Sequence, residues 1–169
     1  LTTLRNESFD ILVNNAGINK IFPFADFPPA EFERIQKVNL LAPFQICQAV
    51  LPSMVKNGWG RIANISSIFS LVSKEMRSAY SASKFALDGM SKSLSIEVAS
   101  KGILVNSVSP GFIDTELTET ILGKEGIERL VRQVPVGRLG KPEEVAALVS
   151  FLVSNENTFI TGQNIAIDG

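Results

Sequence analysis

The chain has 169 residues, 45% hydrophobic and 20% charged, with 16 Lys+Arg against 17 Asp+Glu and a formal net charge of -1. That length can bury a real core, and the balanced charge removes the electrostatic case for nucleic acid or an anionic membrane as the main partner. It contains no histidine and a single cysteine, Cys47, which excludes Ser-His-Asp and Cys-His catalysis, His-ligated metals, an intramolecular disulfide and a zinc-binding Cys cluster.

In chain order, "FDILVNN" (9–15) is short, apolar and closed by Asn, and is expected to be a strand. A long helical stretch follows, "AEFERIQKVNLLAPFQICQAVLPSMVKN" (30–57), then a second strand, "RIANIS" (61–66). "SAYSASKFALDGMSKSLSIEVASKG" (78–102) carries Ala79, Phe85, Ala86, Met90, Leu94 and Val98 at helical spacing, and Gly102 is a plausible stop. "ILVNSVS" (103–109) is a third strand. "KPEEVAALVSFLVSN" (141–155) opens with Pro and two acids, favourable at a helix start, and "NIAID" (164–168) is a fourth strand. Alternating near-continuous apolar strands and helices predict an α/β fold, a doubly wound parallel sheet with helices on both faces. No continuous apolar run reaches the ~18–20 residues of a spanning helix, and no signal-peptide pattern opens the chain. A reducing, cytoplasmic setting is the expectation.

Ligands of such sheets bind beyond the carboxyl ends of the strands. There the sequence places "NNAG" (14–17), "SS" (66–67) and "PGFIDT" (110–115). Without histidine, acid–base chemistry near neutral pH falls to a carboxylate, Lys, Cys or Tyr with a displaced pKa. Tyr80 is the only tyrosine, and Lys84 stands four residues on, on the same helix face. A cation about 4 Å from a phenol, at an effective dielectric near 20, favours phenolate by roughly 4 kcal/mol, on the order of three pKa units. The expectation is therefore a phenol whose pKa Lys84 lowers.

"GRIANISS", "YSASK" and "VNSVSPGFIDT" together resemble the short-chain dehydrogenase/reductase family, and within it the 3-oxoacyl-(acyl-carrier-protein) reductase-like branch. The resemblance runs from "DILVNNAG" to "ITGQNIAIDG" and implies the C-terminal part of a Rossmann-like fold, strands four to seven, as one partial domain. It implies an NAD(P)-dependent oxidoreductase moving a hydride between NADP or NAD and a ketone or secondary alcohol. The substrate would be a small carbonyl or alcohol compound, with acyl carrier protein as a further candidate partner. By the same resemblance Tyr80 donates or accepts the proton, Lys84 lowers its pKa and holds the nicotinamide ribose, Ser67 positions the carbonyl oxygen, and Asn39 holds a relay water. Ser66 is the competitor for the serine role; the thirteen-residue spacing to Tyr80 favours Ser67. Asn14, Asn15, Ala16 and Gly17 would border the adenosine half of the cofactor. Pro110, Gly111, Ile113 and Thr115 would lie along its nicotinamide and pyrophosphate. Arg138 is expected to be structural, residues 116–133 a substrate lid, and helices 30–57 and 78–102 the surfaces of a homodimer or homotetramer, served by Phe44, Phe69 and Trp59.

The family's Thr-Gly-x-x-x-Gly-x-Gly loop is not among these residues, and "FDILVNN" would be an apolar open edge without a further neighbour. The expectation is that these residues are part of a longer chain. Two other readings stay open: an inactive fragment or scaffold of the same fold that associates through its long helices, and a dehydratase or epimerase using the same Tyr-Lys pair.

Overall fold

The structure, a computed structural model, describes residue 4 and residues 7–115 and 125–169. Four strands form one parallel sheet in the order β1 (Ile11–Asn14), β2 (Gly60–Ile65), β3 (Ile103–Pro110) and β4 (Asn164–Ile167). The helices are α1 (Pro29–Gln36), α2 (Ala42–Asn57), α3 (Ser78–Val98) and α4 (Pro142–Leu152). All four strands therefore end on the same side, and the polar segments that follow them gather there.

Helices α1 and α2 are one rod interrupted by a π-helical turn at Lys37–Leu41. The cause is in the sequence. Pro43 has no N–H to offer the Asn39 carbonyl four residues back, and the Ala42 N–H bonds to Lys37 O, five residues back. This rod, Pro29–Asn57, is long and apolar enough to cross a membrane by length and composition alone, although no unbroken apolar run marks it in the sequence. Much of that apolarity is core. Cys47, Val50 and Met54 of α2 pack with Ile62, Val98, Ile103 and Val105 from the sheet and α3.

The opposite sheet face is covered by α4 over β2 and β3. Over β1 it is not: Ile11 and Val13 stay 46% and 41% exposed, and among the described residues β1 pairs only with β2.

Structural residues stand out at the starts of β2 and β3. Buried Arg61 donates to the carbonyls of Gly60, Gly102 and Asn157 and lies 4.6 Å from the Trp59 ring centroid, so Trp59 is engaged within the chain. Gly58 and Gly102 end their helical segments in the left-handed region, at φ 67° and 78°, and a Cβ on Gly102 would collide with Gly58 O. Gly102→Ala is expected to cost about 2 kcal/mol or more, because the backbone strain and the clash add; the shift of the urea unfolding midpoint measures it.

Candidate active site

Ser67 follows β2 directly and caps a 3-10 turn, Ile68–Ser70, its hydroxyl accepting from the Phe69 N–H at 3.2 Å. Ser67 and Tyr80 line the same cleft, and the serine hydroxyl favours the ionised form of the phenol. Ser66 is turned away and donates to Lys84 O at 3.3 Å, as strand alternation requires.

Tyr80 sits in the first turn of α3 with its ring edge-on to Phe69, centroids 6.3 Å apart. Phe69 is thereby part of the site wall. Burial pushes the phenol above its ordinary value; the Ser67 hydroxyl and then the Arg77 charge pull the other way without winning. This corrects the expectation for the Tyr-Lys pair. The cation acting on the phenol is Arg77, three residues before Tyr80. Lys84 is 3% exposed, lies 5.7 Å from the Tyr80 ring centroid and donates to Ile65 O at 2.7 Å. Its ammonium is anchored to the end of β2, not to the phenol oxygen, and burial lowers its pKa from 10.5 to about 8.

Asn39 occupies the π turn, 1% exposed. Its amide grips the backbone of Ile18 at both ends, accepting from the N–H and donating to the carbonyl, each at 2.9 Å. The second Nδ2 proton goes to Ser83 Oγ at 3.0 Å. A water on Asn39 would therefore meet its carbonyl, which Pro43 deprives of the usual donor, or the spare Oδ1 lone pair. The clasp holds Gly17 over the site: a Cβ there would lie 3.6 Å from Lys84 Nζ and 3.7 Å from Asn39 Oδ1.

The other expected residues divide. Asn15, Ala16 and Gly17 are exposed on the strand-end side. The Asn14 side chain is turned into the core, donating to Asn64 Oδ1 at 2.8 Å and Cys47 Sγ at 3.5 Å, and Asn64 donates to Ser91 at 2.7 Å. Pro110 ends β3; Gly111 allows close approach to Asp168, whose Cα a Cβ would meet at 2.8 Å. Ile113 bridges to Gly140, and Thr115 is exposed. Arg138 forms a bidentate pair with Glu144 at 2.7 and 2.8 Å. Of the expected lid, 116–124 lie outside the described residues, while 125–131 are helical.

Four contributors escaped the sequence reading. Ser70, Ser109 and Asn164 come from the 3-10 turn, β3 and β4: Ser109 donates to Asn164 Oδ1 at 2.5 Å, Asn164 Nδ2 donates to Ser70 Oγ at 2.9 Å, and Ser70 donates to Ser67 O at 2.7 Å, with the two serine oxygens 3.0 Å apart. They fix the turn that aims Ser67. Arg77 is the fourth. A basic residue three before Tyr80 was its only signal. Ser67, Phe69, Arg77, Tyr80, Gly111 and Ile113 all line one cleft of about 410 Å³.

This geometry matches what comparison finds. Residues 2–169 fit the family model described as enoyl-(acyl carrier protein) reductase. The 3-oxoacyl-[acyl-carrier-protein] reductase FabG of Aquifex aeolicus is 42% identical over 163 residues, 96% of this chain and 65% of that protein. That of Thermotoga maritima is 41% identical over 160 residues, with 95% and 65% covered. The chain belongs to the short-chain dehydrogenase/reductase family. It spans about 65% of the length of these curated relatives. A crystal structure of gluconate 5-dehydrogenase from Burkholderia cenocepacia J2315, in complex with NADP and tartrate, superposes with a TM-score of 0.93 at 31% identity, covering 99% of this chain and 70% of that one. The short-chain dehydrogenase sheet thus accounts for β1–β4.

Lys84 yields a test of this burial. Between about pH 8 and 10.5 the unfolded chain keeps a lysine proton that the folded chain has lost, so this group makes stability rise with pH across that window. Cys47, raised by burial from 9.0 to about 11, works in the opposite sense. Urea midpoints of wild type and Lys84→Met isolate the lysine: wild type should gain on the variant from pH 8 to 10.5, by on the order of 3 kcal/mol at most.

Proposed function

We propose that the protein is an NAD(P)-dependent oxidoreductase interconverting a ketone and a secondary alcohol at the Ser67–Tyr80–Lys84 cluster. The observation that carries this is the convergence of Ser67 and Tyr80 on one cleft beside the buried ammonium of Lys84. A phenol that burial keeps protonated is a proton donor at neutral pH. Ser67 and Tyr80 together offer two hydrogen-bond donors to one oxygen, the requirement for stabilising charge that develops on a carbonyl. Lys84 spends one proton on Ile65 O, leaving two for ligand hydroxyls, and Gly17 leaves the space above it clear. These residues fit a nicotinamide dinucleotide, NADP or NAD, held at Lys84 and along Asn15–Gly17 and Gly111–Thr115. The cofactor supplies the hydride when bound.

In the reducing direction Tyr80 gives its proton to the carbonyl oxygen while Ser67 fixes that oxygen in place. Arg77, already acting on the phenol, and Lys84, over its ring, offset the charge left behind. Asn39 keeps the 17–19 loop closed over Lys84 and offers its carbonyl to a water joining Lys84 to solvent. The names of the curated relatives support a 3-oxoacyl thioester on acyl carrier protein as substrate; the gluconate dehydrogenase supports a small hydroxy acid. The buried thiol of Cys47 suits a reducing, cytoplasmic setting. The apolar groove where Phe32, Leu40, Leu41 and Phe44 meet Met90 of α3 suits association of copies as a dimer or tetramer.

Tyr80→Phe in the full-length protein should lower ketone reduction, followed by loss of NAD(P)H absorbance, by roughly 10²–10⁴-fold, the usual worth of a positioned general acid. The unfolding transition should remain cooperative. Undiminished turnover would remove Tyr80 from the chemistry, and with it this reading.

A further inference from the structure

The cleft over Ser67 and Tyr80 has a charge pattern that hydride transfer alone does not need. Lys74, Arg77 and Arg129 line it, and among the described residues no Asp or Glu does. Among the described residues the ion pairs are Arg34–Glu31, Lys92–Asp88 and Arg138–Glu144, so none of the three cleft cations is neutralised. Glu75 acts on Arg77 electrostatically but does not pair with it. Lys74 and Arg129 are exposed at the rim, whereas Arg77 is half-buried. Its guanidinium carbon lies 5.7 Å from the centroid of Phe69, the same ring that Tyr80 meets edge-on. Arg77 is thus packed beside the catalytic phenol, and among the described residues no carboxylate pairs with its hydrogen-bonding fork.

A half-buried guanidinium gives up part of its hydration, and an arriving anion restores the loss. Arginine suits that task because its planar fork matches carboxylate and phosphate oxygens two at a time and its flat face rests on an aromatic ring. The exposed cations at the rim would raise the local concentration of an anionic ligand.

We propose that the substrate is a small ketone or secondary alcohol carrying its own anionic group, a carboxylate or phosphate, which Arg77 holds while Tyr80 and Ser67 face the carbonyl. This rests on the reading of Tyr80 as the proton donor. Arg77 is then a specificity residue, selecting a free acid over a neutral ketone or a chain tethered to a carrier protein.

The test compares 3-oxo acids with their methyl esters, ketones bearing a phosphate, and 3-oxoacyl thioesters on acyl carrier protein, using full-length wild type and Arg77→Gln. Using the acid-to-ester ratio of kcat/KM cancels any common effect of Arg77 on the phenol. That ratio should fall roughly 10- to 100-fold in Arg77→Gln, mostly through KM, the worth of a charge-assisted hydrogen bond. Whichever of carboxylate and phosphate loses more is the native anion. In the cofactor-free protein, the Kd of the acid should rise by a similar factor and that of the ester should not. If Arg77→Gln does not fold, the wild type still decides: a 10-fold preference for acid over ester that weakens with salt supports the proposal. Equal use of acid and ester, a change in Arg77→Gln common to both, or reduction confined to carrier-linked thioesters would overturn it. Arg77-dependent acid binding without any ketone reduction would instead overturn the oxidoreductase reading alone.

Discussion

A single buried ammonium organises the site. Lys84 Nζ donates to Ile65 O at 2.7 Å, tying the middle of α3 to the last residue of β2. Burying a charge is costly without such a partner, so this bond sets the depth and rotation of α3 against the sheet. Tyr80, one turn earlier, is carried by the same rotation to the end of the strand, where Ser67 begins the next segment. Helix and strand register are thereby linked through one carbonyl.

The loop after β1 is closed by a different device. A proline in the long first rod removes the donor for the Asn39 carbonyl and opens a π turn. That turn presents the Asn39 amide to the backbone of Ile18, which it pairs on both sides. A local helix defect thus positions a distant loop, and with it Gly17 beside Lys84. On the far side, the Ser70–Ser109–Asn164 triangle joins the Ser67 turn to β3 and β4. Every element that touches the reacting groups is thus braced by buried polar contacts, while the apolar core lies behind them.

Strand-and-helix alternation, the four strand positions and the gathering of polar segments at one sheet end were all legible in the sequence, because apolar period and turn chemistry are local properties. Ser67, Tyr80, Lys84 and Asn39 were singled out by the family resemblance, with the Tyr80–Lys84 pair also marked by its i, i+4 spacing. The phenol's direction of shift was not: it depends on where the Lys84 ammonium points and how deeply Tyr80 is buried, and spacing along a helix fixes neither. Asn14 shows the same limit. Its motif points to the ligand side, yet its register opposite Asn64 turns its side chain into a buried amide row.

What the sequence determined by itself was a parallel α/β sheet carrying Tyr and Lys on one helix face, since these follow from hydrophobic period and from i, i+4 geometry. Only the tertiary structure decided which cation acts on the phenol, which serine faces it and which residues brace the turn between them. Those outcomes come from side chains distant in sequence meeting at the strand ends. Arg77 and Tyr80 both packing on the ring of Phe69 is such a meeting, set by packing rather than by any local pattern.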